Sequence, residues 1–168
     1  MNILINDLKP SEAKRFFPDW TEERGWMVFS DDGSLRNCIG CFGCWVRTPG
    51  ACVIRDRYGD MGKCLGRCEH LVLVSRCAYG GLSPFVKMVM DRSISYIHPD
   101  FVIKNGEMHH KQRYENCIQL NTLFYGDITE EEQVTAKSYV KAMAVNLSCE
   151  VKGVDFRAEA GDWEGTVL

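Results

Sequence analysis

Residues 71–75, Leu-Val-Leu-Val-Ser, form a continuous apolar run. Such a run is typical of a strand buried on both faces, and strands of this kind occur in parallel sheets covered by helices. Four other runs are strand-like, at residues 2–6, 26–30, 118–125 and 151–156. Because helix candidates alternate with these strands, the pattern predicts an α/β fold, a three-layer doubly wound parallel sheet of about five strands in flavodoxin-like order.

The helix candidates differ in strength. Residues 9–17 allow a short helix that ends before Pro18, and residues 59–67 are a weak candidate. Ser83 and Pro84 are an N-cap and a first helical residue, and Thr129 with Glu132 forms a capping box before an amphipathic stretch. We expect residues 97–115 to be irregular and residues 157–168 to be a loose tail.

Length and charge exclude several classes of protein. The chain has 168 residues, which predicts one domain over 1–168, and its net charge is −3 with a pI near 5.8. This balance offers no basic surface for nucleic acid or an anionic membrane, and the apolar runs are too short to span a bilayer. No signal peptide is visible at residues 1–7, so we expect a cytoplasmic protein.

Nine cysteines are an odd count, which argues against a disulfide framework. Four of them, Cys38, Cys41, Cys44 and Cys52, have the spacing C-x2-C-x2-C-x7-C. Two-residue spacings let a looping chain wrap a cubane iron–sulfur cluster, so a 4Fe–4S cluster is one hypothesis for these cysteines. A tetrahedral zinc site, a Cys38–Cys41 redox pair and plain burial of the thiols are the alternatives.

The stretch from Cys38-Ile-Gly-Cys-Phe-Gly-Cys-Trp45 through Thr48-Pro-Gly-Ala-Cys52 to Asp56 resembles the flavodoxin-like NADPH-dependent FMN reductases. The most similar branches are the multimeric flavodoxin-type proteins and the iron–sulfur flavoproteins. Residues 75–83, followed by Lys87 and Asp91-Arg92, look like the loop that this family places against the flavin ring and the helix after it.

The resemblance implies an FMN site at the carboxyl ends of the strands. Cys77, Ala78, Tyr79, Gly80 and Gly81 would line the ring, Gly126 and Asp127 would close the other side, and Asn6, Lys9 and Ser11 would remain of the phosphate site. Two departures from the family are visible. Asp7 stands in the phosphate loop, where it would repel a phosphate, and the ring loop starts Ser75-Arg-Cys-Ala. We therefore expect FMN and riboflavin to bind with similar affinity.

Two functions follow from these observations. The first is an FMN-dependent oxidoreductase or electron-transfer flavoprotein, linked to NAD(P)H, in which the cysteines could hold a cluster as a one-electron relay. The second is a flavodoxin-like binding or regulatory protein that has lost flavin binding and has no enzymatic activity. The long segment 93–115 is rich in apolar and aromatic residues, which predicts a homodimer or a dimer of dimers. The alternative is that this segment folds back on its own sheet as a lid.

Overall fold

The computed structural model describes residues 1–163. Its strands, in chain order, are β1 Asn2–Asn6, β2 Trp26–Phe29, β3 His70–Arg76, β4 Ile97–Lys104, β5 Glu107–Gln112, β6 Ile118–Tyr125 and β7 Cys149–Arg157. Five of them form one sheet in the order β2-β1-β3-β6-β7, and every neighbouring pair is parallel. The doubly wound parallel sheet is confirmed, including the parallel pairing of β3 with β6.

The central strand β3 has the burial that its composition predicts. Residues 71–75 are all buried, because side chains of three helices pack on one face of the sheet and residues 13–17 and 160–163 pack on the other. In the register of the sheet, Ile5 lies beside Leu73, and Leu73 beside Thr122. The carboxyl ends of β1, β3 and β6 therefore lie at one edge of the sheet.

Helices α1 Pro10–Phe16, α2 Gly43–Val46, α3 Met61–Leu65, α4 Pro84–Arg92 and α5 Glu130–Leu147 connect the strands. The predicted caps are present, since the Ser83 hydroxyl accepts from Val86 N–H and the Thr129 hydroxyl accepts from Glu132 N–H. Side chains of α3, α4 and α5 share one core with Ile3, Ile5 and Leu73. Among residues 1–163, no helix combines the length and apolar character needed to cross a membrane.

Only short elements among the described residues cover the opposite face of the sheet. Helix α1 has seven residues, and a 3-10 turn at Ala160–Trp163 completes the layer. Trp163 is 2% exposed and packs in a core with Phe17 and Val74. The prediction of a loose tail from residue 157 was therefore wrong as far as Trp163, because burial of this indole fixes the turn. Residues 164–168 of that predicted tail lie outside the described residues.

Residues 97–115 are also more regular than predicted. Strands β4 and β5 form an antiparallel hairpin, separate from the main sheet, around Asn105 and Gly106, which both have positive φ. Such a pair is the strongest short-range signal for a two-residue hairpin turn. The ring of His110 packs between Phe101 and Trp45. The hairpin is therefore attached to residues 38–52, the segment that carries the four closely spaced cysteines and is called the cysteine segment below.

Candidate functional site

The Asp7 carboxylate links the loops that follow β1, β3 and β6 at the carboxyl edge of the sheet. One oxygen of its carboxylate accepts from Arg76 N–H at 2.8 Å, and the other accepts from the Tyr125 hydroxyl at 3.0 Å. Burial, followed by the charge of Asp7, raises the pKa of Tyr125 above its usual range, so the phenol stays protonated and donates. The loops after β1, β3 and β6 thus meet at a carboxylate.

The predicted phosphate residues are differently placed. Asn6 is fully buried, and its amide nitrogen donates to the Ser30 hydroxyl and the Phe29 carbonyl, which leaves it no free N–H for a phosphate. Lys9 and Ser11 are exposed at the start of α1. The Glu12 carboxylate accepts from Lys9 N–H at 3.0 Å, so an acidic side chain already lies at the end of α1 that would face the phosphate.

A cavity of about 570 Å³ opens at this edge. Of the described residues that line it, four are acidic and one is basic: Asp7, Glu12, Asp31 and Glu159 against Lys9. Because like charges repel and a phosphate needs several N–H donors, this donor set does not fit the phosphate of FMN. The charge distribution supports the sequence argument from Asp7 and extends it to three further carboxylates.

The predicted ring loop forms a tight turn. Ala78 and Gly81 exchange both backbone hydrogen bonds, at 3.0 and 2.9 Å, and Tyr79 and Gly80 between them have positive φ. A Cβ on Gly80 would lie 2.6 Å from Thr135 Cβ, so only glycine lets the turn pack on α5. Tyr79 is 95% exposed. The turn therefore presents an aromatic side chain to solvent beside the carboxyl edge.

The remaining predicted flavin residues have structural contacts. Cys77 N–H donates to the Tyr125 carbonyl at 2.9 Å, and burial raises the pKa of the Cys77 thiol. Gly126 N–H donates to the carbonyls of Arg157 and Ala158, while Asp127 is exposed. These residues lie at the edge where the resemblance puts a flavin ring, and their backbone groups are largely engaged in holding the loops together.

The second candidate site is formed by the cysteine segment. Cys38, Cys41, Cys44 and Cys52 all line one cavity of about 270 Å³ beside the end of α4. All nine cysteines are free thiols; within this group Cys44 and Cys52 are buried, Cys38 is half-buried and Cys41 is exposed. The four predicted ligands therefore lie around the same cavity.

The backbone of this segment is shaped to wrap around the cavity. Gly40 and Phe42 both have positive φ, and α2 starts directly afterwards. A Cβ on Gly43 would lie 2.5 Å from Val53 Cγ1, so the close packing of this turn against Val53 favours glycine here. Cys38 N–H donates to the Met88 sulfur at 3.0 Å, which fixes the first cysteine against α4.

The thiols are close enough to affect one another. Burial raises the pKa of Cys44, and the neighbouring thiols of Cys52, Cys38 and Cys41 raise it further. Within residues 1–163, however, no three His, Cys, Asp or Glu side chains are near enough to bind a single metal ion.

Arg92 closes the cysteine segment at both ends. Its Nη1 donates to the Arg36 carbonyl at 2.6 Å, and its Nη2 donates to the Ile54 carbonyl at 3.2 Å. Asp56 accepts from both nitrogens, at 2.9 and 2.7 Å, and these bonds lower the pKa of its carboxyl. Since residues 36 and 54 flank all four cysteines, these hydrogen bonds attach both ends of the segment to the end of α4.

Sequence reasoning noted Asp56 and Arg92 only as part of a resemblance and missed this role. The signal was present in α4, where Phe85, Val89 and Arg92 recur at helical spacing on the buried face. An arginine on an apolar stripe predicts a buried guanidinium, which requires an anionic partner. Asp31 and Glu159 carried no such signal, because only the fold brings them to the carboxyl edge.

The comparisons with known proteins concern the fold. No family model matches the chain, and no curated protein matches it. The Trp repressor binding protein from Bacillus subtilis has a TM-score of 0.54 at 13% identity, over 97% of this chain and 90% of that one. Azoreductase AzrA gives 0.54 at 11% identity, over 93% and 87% of the two chains.

A third solved structure is the FMN-dependent NADH-azoreductase from Bacillus anthracis str. Ames Ancestor in complex with FMN. Its TM-score is 0.52 at 14% identity, over 93% of this chain and 85% of that chain. At such low identity the likeness concerns architecture alone. The chain has the flavodoxin-like fold that these proteins share.

Proposed function

We propose that this chain is an electron-transfer protein of the flavodoxin-like fold class that binds a 4Fe–4S cluster through Cys38, Cys41, Cys44 and Cys52. The observation that carries the proposal is that all four thiols line one cavity. A bound cluster supplies one-electron transfer, which a thiol by itself does not.

The four cysteines differ in how far they are exposed to solvent. Cys44 and Cys52 are buried and would hold the inner side, whereas Cys41 lies exposed next to the exposed side chains of Ile39 and Phe42. The outer rim is therefore open to an electron donor or acceptor. Because thiols must lose their protons to bind iron, and burial raises the pKa of Cys44, binding releases protons and improves as the pH rises.

An NAD(P)H-dependent, FMN reductase-like oxidoreductase is the second candidate. Two observations favour it: the Tyr79 turn lies at the carboxyl edge, and one solved neighbour is described as an FMN-dependent NADH-azoreductase in complex with FMN. On this proposal the flavin ring would lie against residues 77–81 and 126–127, while Asp7 and Glu12 would keep the phosphate from the start of α1. Since the phosphate does not fit, we assign no catalytic step to FMN.

Absorbance of protein purified without oxygen separates these candidates. We expect a brown preparation with the broad absorbance of an iron–sulfur protein. A yellow preparation with flavin bands and no iron would favour the second candidate. A colourless preparation that takes up neither iron nor flavin would contradict both and support a binding or regulatory protein without enzymatic activity.

A matched pair of variants locates the cluster. Cys44→Ser removes a buried thiol of the cavity, and we expect it to lose most of the iron-dependent absorbance. Cys117→Ser is the control, because Cys117 is exposed and lies outside the cavity. Equal iron content in the two variants would contradict the assignment of the ligands.

We further propose that the chain forms a homodimer, alone or paired into a dimer of dimers, through the β4–β5 hairpin. Phe101, Ile103 and Met108 are each more than 60% exposed, and aromatic residues and methionine are enriched at interfaces. Light scattering at micromolar concentration should give at least a dimer mass. Phe101→Asp should lower it, whereas Val134→Asp, on an exposed apolar residue of α5, should not. A monomer mass for the unmodified chain would contradict the proposal.

A further inference from the structure

Strand β7 forms an open edge of the main sheet. It has nine residues, Cys149–Arg157, and it pairs with β6 on its inner side. Within residues 1–163, no strand pairs with its outer side. An edge strand presents a row of backbone N–H and C=O groups that can pair with a strand of another chain. The length of β7 is therefore enough to extend the sheet beyond this chain.

The two faces of β7 differ in character. One face carries apolar side chains that pack against the core shared by α3, α4 and α5: Cys149, Val151, Val154 and Phe156. The other face carries four charged residues, all of them exposed: Glu150, Lys152, Asp155 and Arg157. On this face the Glu150 carboxylate accepts from Lys152 Nζ at 2.6 Å, and the Arg157 guanidinium lies over the Trp163 ring.

A β-bulge in the middle of the strand makes its pattern symmetric. The register with β6 advances from Val151 to Gly153 while β6 advances by one residue, so Lys152 is an extra residue. At a bulge, two residues oppose one residue of the neighbouring strand. When Lys152 and Gly153 are counted as one position, Val154 lies at the centre of residues 150–157, with three positions on each side.

The charges are complementary about this centre. An antiparallel copy of β7, with Val154 opposite Val154, would place Glu150 opposite Arg157 and Lys152 opposite Asp155. Each pair occurs twice in such a dimer, which gives four ion pairs on the charged face, while Val151 lies opposite Phe156 on the apolar face. Opposite charges on facing strands stabilise a sheet, and like charges destabilise it.

Other registers are disfavoured by the same charges. Sliding the copy by two positions one way places Glu150 opposite Asp155, and sliding it the other way places Lys152 opposite Arg157. Both shifts bring like charges together. Lysines and bulges commonly protect an edge strand from pairing, but the alternating signs on β7 admit a second copy in one register.

We propose that β7 pairs with β7 of a second copy of this chain, antiparallel and about a twofold axis at Val154. Such a contact is isologous, because each copy contributes the same surface. It would join two five-stranded sheets into one continuous sheet. The surface is separate from the β4–β5 hairpin, which forms a sheet of its own. It therefore supplies the second twofold contact that a dimer of dimers needs.

The test isolates β7 by using the full chain with Phe101→Asp, which weakens the hairpin contact. Light scattering over a micromolar concentration series should show a dimer. Adding Glu150→Arg places like charges opposite each other at both ends of the paired strands, and we expect it to raise the dissociation constant at least tenfold. Adding Arg157→Glu as well exchanges the two charges and should return the constant to within threefold of its starting value.

Two controls separate cross-strand pairing from other effects. Glu23→Arg makes the same change of charge at an exposed residue before β2, at the other edge of the sheet, and should alter the constant less than twofold. The intrachain pair of Glu150 with Lys152 is lost in the single and in the double variant alike. Recovery in the double variant therefore reports the pairing between copies.

The possible failures can be told apart. Equal masses for the unmodified and Phe101→Asp chains would contradict the hairpin contact alone. A monomer mass for a folded Phe101→Asp chain, no effect of Glu150→Arg, or no recovery in the double variant would each overturn the β7 contact. If circular dichroism shows that Phe101→Asp does not fold, the unmodified chain decides, and there Glu150→Arg should halve the mass and the double variant should restore it.

Discussion

Asp7→Asn should raise the affinity of the carboxyl edge for FMN relative to riboflavin. The change keeps the shape of the side chain but removes one of the four carboxylates around the cavity. A charge about 5 Å from a phosphate opposes it by roughly 3 kcal/mol at an effective dielectric constant of 20. Screening at this half-buried position leaves about 1–2 kcal/mol, or a factor of roughly 5 to 30 in affinity.

The same substitution has a structural cost that can be measured separately. The single amide oxygen of an asparagine replaces the two carboxylate oxygens with which Asp7 accepts from Arg76 N–H and the Tyr125 hydroxyl, so one of these bonds is lost. Losing one bond to a charged group lowers the free energy of unfolding by about 1.5–3 kcal/mol. The variant should therefore be less stable in urea and at the same time more selective for FMN.

Quenching of flavin fluorescence, titrated with FMN and with riboflavin, measures the ratio of the two dissociation constants. We expect a ratio near one for the unmodified chain and for Asp100→Asn, a control at an exposed position of the hairpin. A strong preference for FMN in the unmodified chain would refute the reasoning. An unchanged ratio in Asp7→Asn would also refute it, and failure of every variant to bind either flavin would remove the proposed ring site.

Two further predictions concern stability. Trp163→Ala should lower the free energy of unfolding by about 3–5 kcal/mol, because the indole is 2% exposed in the thin layer over the sheet. Tyr79→Ala, at an exposed residue, should change the same free energy by less than about 0.5 kcal/mol. Equal losses for the two variants in urea unfolding would contradict the packing. Burial raises the pKa of Cys68 and of Cys149 to about 12 each. Between about pH 9 and pH 12 these thiols therefore ionise in the unfolded chain but not in the folded one. Each thiol should then lower the free energy of unfolding by up to about 1.4 kcal/mol per pH unit. The stability is therefore present below pH 9, Cys68→Ala should flatten the decline above it, and an unchanged slope would contradict burial of a neutral thiol.

The sheet could be predicted because its strands carry their own signals. Leu71, Val72, Leu73 and Val74 are apolar on both sides of the strand, and this composition alone predicts a central parallel strand. The hairpin at 97–112 was missed even though Asn105-Gly106 marks its turn, because β5 is polar and lacks alternation. Contacts with Trp45 hold that hairpin in place, and such contacts do not appear in a local pattern.

The candidate sites show the same division between local and distant information. Spacing identifies Cys38, Cys41 and Cys44 as a group, since two-residue steps are a local property. Cys52 lines the same cavity as Arg92, whose ion pair with Asp56 joins residues that are 36 apart in sequence and so leaves no local signal. The acidic character of the carboxyl edge likewise depends on Glu159, which the chain brings close to Asp7 only through β7 and the turn after it.

The central claim is that the cysteine cavity binds a cluster, and the iron and acid-labile sulfide content of the anaerobically reconstituted full chain tests it most directly. The account predicts about four of each per chain, as a cubane cluster requires, with most of both lost in Cys44→Ser and retained in Cys117→Ser. Less than one iron per chain, or equal content in the two variants, would contradict it.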